Sequence, residues 1–222
     1  MSRHCVPEME VTRHLAVNSM KKRYYKLIFG VLVVACLAVT FHNAGATSVK
    51  KMTVRDLVIY GDKIIAGQVV TVSDGFDAKG LPYTDVTVAV QESIKGNVNG
   101  YYTFRQFGLT QPRDLGNGLT YLGISPDGFP HFKTGEDVVV FLFKKTAAGF
   151  QSSAGLMQGK FTVSGHELSN DINNMGLFAN INVDPTKLSS AEQKMLASSE
   201  GPVDTELFKG FVKKAVQQAW FK

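Results

Sequence analysis

From residue 47 onward, the side chains able to do chemistry are few: His131, His166, a serine turn at Ser125, and an aromatic tract at Tyr101–Phe107. His131 stands in Gly128-Phe129-Pro130-His131-Phe132, and a base or ligand role there needs a second histidine or a carboxylate at working distance, which the local sequence does not supply. His166 follows Ser164-Gly165 and reads as a solvated turn residue. Gly123-Ile124-Ser125-Pro126-Asp127 has the outline of a hydrolase elbow. However, Asp127 replaces the second glycine and Pro126 removes an oxyanion-hole amide, so a β-turn is expected. Asp74 and Asp77 flank Gly75 without the further oxygen ligands that calcium needs, and read as hairpin-turn residues. No phosphate loop or dinucleotide fingerprint occurs. The expectation is no catalytic constellation, no metal and no cofactor. A hydrolase that brings His131 to Asp127 or Asp114 by folding stays as an alternative.

The tract Tyr101-Tyr102-Thr103-Phe104-Arg105-Gln106-Phe107 interleaves rings with a cation, as OB-type surfaces that bind sugars or single strands do. Read as a strand, it puts Tyr102 and Phe104 inside and Arg105 outside. Of the overall charge of +5, +4 comes from the first 26 residues, which hold six basic and two acidic side chains. From Thr47 the balance is 18 basic to 17 acidic. A nucleic-acid partner is therefore not expected. The candidate ligand-binding residues are Arg105, Gln106 and Lys160, with Pro130, His131 and Phe132 from the long loop.

Those first residues carry an export address. Met20-Lys-Lys-Arg-Tyr-Tyr-Lys26 is a cationic segment, Leu27 to Phe41 is apolar and uncharged, and Ala44-Gly45-Ala46 sets small residues where a leader peptidase reads. Cleavage after Ala46 is expected, with Met20 as the true start and residues 1–19 as an upstream tail. Two other fates stay open: lipidation at Cys36, since Val33-Val34-Ala35-Cys36 resembles a lipobox, or retention as an anchor. Cys5 and Cys36 are the chain's two cysteines, so the mature part holds no disulfide framework and no cysteine-ligated zinc.

The chain of 222 residues is 44% hydrophobic and 19% charged, a balance typical of a folded protein. Thr53 to Asp62 predicts a short helix capped by Thr53, with Val54, Leu57 and Val58 on one face. Lys63–Ser73 and Tyr83–Ser93 predict a hairpin, with Ile64, Ala66, Val70 and Val72 on one side of the first strand and Ile65, Gly67 and Val69 on the other. Gly67 is the candidate bulge. Gly100–Phe107 is a third strand. A glycine- and proline-rich excursion then runs to Gly135, with a short strand at Leu119–Ile124. The run Val138–Phe143 does not alternate, so both its faces need cover. Ala148–Leu156 and Lys160–Ser164 predict another strand pair joined near Gln158-Gly159. Ser189-Ser190-Ala191-Glu192 is a capping box for a helix to about Ser198, and Gly201-Pro202 is expected to open a second helix. The stripe Leu207, Phe208, Phe211, Val212, Ala215, Val216 and Ala219 of that helix supplies the missing cover.

Asp56-Leu57-Val58, Ile65–Val70, Tyr83–Val88, Glu92-Ser93-Ile94-Lys95-Gly96, Gly135–Leu142 and Gln158-Gly159-Lys160-Phe161 form an ordered set across about Thr53 to Val163. In that order they resemble a group of uncharacterised exported bacterial proteins. More distantly, the succession of a hairpin, a strand ending in Lys-Gly and a later strand is similar to the netrin-like domain of metalloproteinase inhibitors. That resemblance implies an OB-like barrel. Those inhibitors use an amino-terminal cysteine on the protease's zinc and disulfides through the barrel, and neither has a counterpart after Thr47.

The expected architecture is mainly β with flanking helices, an OB-like or netrin-like small barrel over 47–185, and C-terminal helices over 186–222 that pack on it, after an extension and leader over 1–46. The expected role is a non-enzymatic binding or structural module in the periplasm or outside the cell, reaching a membrane only through the leader. Its partner would be an envelope or extracellular protein or glycan. A netrin-type protease inhibitor is the second alternative.

Overall fold

Two β-branched runs, Lys63–Phe76 (β1) and Pro82–Lys95 (β2), pair antiparallel along nearly their whole length. Asp77 closes the turn between them, its Oδ1 accepting from the amides of Lys79 and Leu81 at 2.8 Å each. The computed structural model describes residues 50–126 and 128–221, which belong to one compact unit. Met20, Cys36, Ala44, Ala46 and Asp127 lie outside the described residues.

Chain order around this hairpin is helix α1 (Val54–Tyr60), β1, β2, β3 (Tyr101–Phe107), the short arm β4 (Arg113–Asp114) and β5 (Thr120–Tyr121), β6 (Asp137–Leu142), β7 (Lys160–Ser164), β8 (Glu167–Asn170), α2 (Ser190–Leu196), β9 (Val203–Asp204) and α3 (Thr205–Gln217). The fold is mainly β, built on one large antiparallel sheet of order β3-β2-β1-β6-β7-β8-β9 with a few helices. Among the described residues no helix is long and apolar enough to cross a membrane.

The sheet is not closed into the expected barrel. Beyond β6 the chain turns back through 143–155, but that stretch is too irregular to build a ladder. It makes one bridge, Leu142 to Ser153, and sends one backbone hydrogen bond to β3, from Gln151 N to Arg105 O at 2.6 Å. The predicted pairing of Ala148–Leu156 with Lys160–Ser164 is also corrected. A 3₁₀ turn at Leu156–Gln158 separates them, and β7 pairs with β6 and β8 instead. Gly159 permits this fold-back, because a Cβ there would collide with the Ala154 carbonyl.

β1 has register shifts at Ile64/Ile65, Ala66/Gly67 and Val69/Thr71. The last of these swings Val72 to the side of Ile65 and Val69, opposite to the expected assignment. A bulge adds one residue, so every side chain after it changes face. Gly67 sits at the middle shift, where a side chain would strike the Ala89 carbonyl.

β6 is covered on both sides, as its unbroken apolar run requires. On one face Val139 and Phe141 join Ile64, Phe161 and Leu168 beneath α1 and α3. Phe208 of α3 contacts Phe141 and Phe161 with ring centroids 6.3 and 5.1 Å away. On the other, Val138, Val140 and Leu142 face Ile65, Val69, Val86, Val88 and Phe104.

The capping boxes Thr53/Asp56 and Ser189/Glu192 both form. At the other end of α1, Lys95 Nζ donates to the carbonyls of Val58 and Gly61 at 2.8 and 2.6 Å, which satisfies acceptors the helix leaves open. α3 begins later than Gly201-Pro202 suggests. Val203 first pairs with Leu168, and Asp204 then caps the helix through Leu207 N. Pro202 serves this extended link, whose backbone is suited to proline.

Candidate functional site

Alternation along β3 sorts the predicted residues onto opposite faces. Phe104 and Gln106 are buried on the inner face with Tyr102 beside them, while Tyr101, Thr103, Arg105 and Phe107 point the other way. Arg105 is not the lone exposed cation expected. Its guanidinium grips Asp85 with two hydrogen bonds of 2.7 and 2.6 Å and lies 3.6 Å over the Tyr83 ring. The bonds to Asp85 raise its already high pKa further. Its donors toward Asp85 are thus occupied by a cross-strand pair on β2 and β3.

Gln106 and Pro130 are brought together inside, Nε2 donating to the Pro130 carbonyl at 3.2 Å. That bond fixes the amide's orientation and leaves Oε1 buried with no partner. Phe132 is also buried, edge-on to Phe104 at 5.3 Å, and His131 between these two buried neighbours is exposed. Among the described residues no hydrogen bond joins His131 to Asp114, whose carboxylate instead accepts from Gly116 N at 2.8 Å.

Lys160 is 3% exposed. Its ammonium meets Glu136 Oε2 at 2.8 Å and Thr162 Oγ1 at 2.8 Å, and lies 5.5 Å from the Phe132 ring. Glu136 Oε1 in turn accepts from Lys133 N at 2.8 Å, pinning the turn into β6. Four of the six predicted ligand residues (Gln106, Pro130, Phe132 and Lys160) therefore fasten the long loop to the inner face. Burial without free polar atoms is what makes a group structural, and only the Gln106 carbonyl escapes that description.

Beside Gln106 a cleft of about 390 Å³ opens between the end of β3 and the 143–152 turn-back. Phe107, Phe129, Phe143 and Phe150 line it, with Lys144 and Thr146 at exposed positions. Phe107 and Phe150 stand 5.9 Å apart and tilted. The aromatic tract of the sequence contains Phe107, but nothing in the sequence brings it together with Phe129, Phe143 and Phe150. The available signal was the outward place of Phe107 in the alternation, together with two phenylalanines flanking the polar turn Lys144–Gly149.

The remaining excursion is tied down by Asp74, which is not a turn residue. Its carboxylate accepts from Thr110 N at 2.7 Å and also holds Thr110 Oγ1 and the Arg113 guanidinium. Burial works to raise the Asp74 pKa, but these donors outweigh it and leave it lowered. Ser125 is buried, with Oγ directed to the Phe107 carbonyl at 3.3 Å, a packing role in place of a nucleophile's. Among the described residues no group of three or more His, Cys, Asp or Glu side chains is arranged to hold a metal ion.

On the helix side, Glu92 of β2 binds Lys209 and Lys213 of α3 at 3.2 and 3.0 Å. Burial alone would raise its pKa, and the two lysines bring it down. A second cavity, of about 210 Å³, lies next to this bridge at the start of α3.

No protein-family model, no curated protein and no solved structure matches this chain.

Proposed function

We propose that this chain is an exported, non-enzymatic binding module of OB-like type that grips an envelope or extracellular partner through the phenylalanine cleft at the end of β3. The single observation that carries this reading is the cleft itself: four rings around an open volume, with a buried amide carbonyl that lacks a donor. Exposed and half-exposed aromatic side chains gathered round a concavity are what a partner's flat apolar group fills, and one oriented polar atom adds selectivity.

Support for the OB-like assignment comes from strand order. β3-β2-β1-β6 continues into an edge made by Ser153 and β7, and the Gln151–Arg105 hydrogen bond spans the gap back to β3. A partly open five-stranded barrel has that succession. The netrin-like likeness rests on the same order. Support for export is the tripartite leader at 20–46.

Ligand-observed NMR on the purified full-length protein tests the cleft, with indole as probe and N-methylindole as the analogue lacking the donor. Indole is expected to show saturation transfer that Phe150→Ala and Phe129→Ala abolish, and N-methylindole is expected to bind more weakly. Indole binding that is absent, or indifferent to both substitutions, overturns the cleft as the site. Mass spectrometry of the protein's amino terminus tests export, with Thr47 as the expected first residue. An intact Met1 or Met20 on soluble protein would contradict it.

A further inference from the structure

The two ends of β3 fix which way its backbone faces. Val90 N donates to the Gly100 carbonyl at 2.7 Å and Gly108 N to the Pro82 carbonyl at 3.1 Å, so both flanking residues bond to β2. Between them the register runs unshifted from Tyr101↔Ala89 to Phe107↔Tyr83. Alternate residues of an antiparallel strand bond to the same neighbour. Tyr102, Phe104 and Gln106 therefore turn their amides and carbonyls to β2, and Tyr101, Thr103, Arg105 and Phe107 turn theirs to the outer edge.

At that edge the Arg105 carbonyl accepts from Gln151 N at 2.6 Å, and the Phe107 carbonyl from Ser125 Oγ at 3.3 Å. Among the described residues, the carbonyls of Tyr101 and Thr103 and the amides of all four outward residues have no hydrogen-bond partner. The open stretch is thus Tyr101–Thr103, where the two outward residues are exposed, Tyr101 at 74%. Folded proteins blunt such edges with lysine, proline, a bulge or a covering segment. β3 has none of the first three, and its cover stops at the Gln151 bond.

A row of alternating free donors and acceptors is the template for an added strand, which can come from a second copy or from a different chain. Charge decides between them. A hollow of about 270 Å³ beside the open stretch is lined by Thr103, Phe104 and Arg105, by Asp85, and by Lys145 and Gly149 of the turn-back. Asp85 and Arg105 neutralise each other, and Thr103 Oγ1 is bonded to Thr87 Oγ1 at 2.8 Å. That leaves Lys145, exposed and in no ion pair among the described residues, as the net charge. The outward side chains of β3 include no carboxylate, so a second β3 brings nothing to answer Lys145 and adds another Arg105.

We infer that the outer edge of β3 at Tyr101–Thr103 takes an added strand from a partner chain, an extended segment with a glutamate or aspartate that reaches Lys145. The ladder uses backbone groups in place of rings, so it does not rest on the phenylalanine cleft.

The test adds acetyl-Val-Thr-Glu-Thr-Val-amide to the full-length protein and follows amide shifts and hydrogen exchange at residues 101–105 and Lys145. The peptide is expected to slow exchange at Tyr101 and Thr103 by about ten-fold or more, and to leave Tyr102 and Phe104, already bonded to β2, unchanged. Lysine in place of the peptide's glutamate is expected to weaken binding by about five- to ten-fold, and Lys145→Glu to invert that preference. N-methylation of the peptide's odd or even residues removes donors from opposite edges, so one pattern is expected to abolish the shifts and the other to be tolerated. Thr103→Pro removes an outward amide that β2 does not use, a place where edge strands accept proline, and is expected to abolish binding. Lys145 lies in an exposed turn, so its variant stays informative if Thr103→Pro unfolds. No change at Tyr101 and Thr103 with millimolar peptide, equal loss from both N-methyl patterns, binding kept by folded Thr103→Pro, or indifference to Lys145→Glu overturns the inference. So does sedimentation showing a dimer of the protein alone that Thr103→Pro disperses, because the occupant is then a second copy.

Discussion

Changing Glu136 to glutamine tests the inner-face packing most directly. The Lys160 side chain is 4% exposed and that of Glu136 14%, and the carboxylate is the ammonium's ion-pair partner. Removing one member of a buried pair strands the other charge away from water, at a cost of about 3–5 kcal/mol. Glutamine keeps the shape and a polar oxygen toward Lys160, so Glu136→Gln belongs at the low end, about 3 kcal/mol. Lys160→Met is milder, about 1–2 kcal/mol, because methionine fills the space beside Phe132 while Glu136 retains the Lys133 amide and some solvent. The double variant carries no stranded charge and is expected to be more stable than Glu136→Gln alone. Equilibrium urea unfolding by circular dichroism measures the three values, and for a chain of this size 3 kcal/mol corresponds to a fall in Tm of about 6–12 °C. Lys160→Met as damaging as Glu136→Gln, or a double variant that sums the two losses, would refute the reasoning.

The Asp74 tether makes the β4–β5 arm acid-labile. Its carboxyl is lowered in the fold, so the stabilisation is present above the ordinary carboxylate pKa of about 4 and fades as pH falls through that value and below. Pepsin at pH 3 is expected to cut within 111–122 before the rest of the chain, and Asp74→Ala to expose the same bonds to trypsin or chymotrypsin at pH 7. Gly67→Ala forces a methyl against the Ala89 carbonyl and is expected to lower stability by about 1–3 kcal/mol in urea unfolding. Ser189→Ala removes the oxygen that accepts from Glu192 N at 3.2 Å, and calorimetry is expected to register a loss of about 1 kcal/mol.

What could be read from the sequence followed periodicity and caps. The hairpin β1–β2, strand β3, the two-sided β6, the Thr53 cap and the Ser189–Glu192 capping box are set by local pattern, and all appear in the fold. β8 was missed because Glu167-Leu168-Ser169-Asn170 is short and half polar, and its stability comes from afar. Asn170 Nδ2 reaches the Gln158 carbonyl at 3.0 Å, and Asn174 Nδ2 those of Leu168 and Gly201 at 3.1 and 2.9 Å. Barrel closure was overdrawn because strand order is visible in a sequence, but whether residues 143–155 zip onto β3 depends on tertiary register. That Lys160 is buried against Glu136, and that Gln106 spends its amide on the Pro130 carbonyl, depends on tertiary contacts that residue type does not announce. The phenylalanines of the cleft come from three separate segments, so no local spacing announces them.

The position of α3 sets when the molecule can finish folding. Its Phe208 and Phe211 complete the core over Phe141 and Phe161, and Val203, just before it, completes the sheet's far edge. During synthesis these partners emerge after every other strand has left the ribosome, so the apolar side of β6 and β7 stays uncovered until residues 203–212 are made. A nascent chain in that condition offers chaperones a long hold and cannot close its packing until the last helix is made.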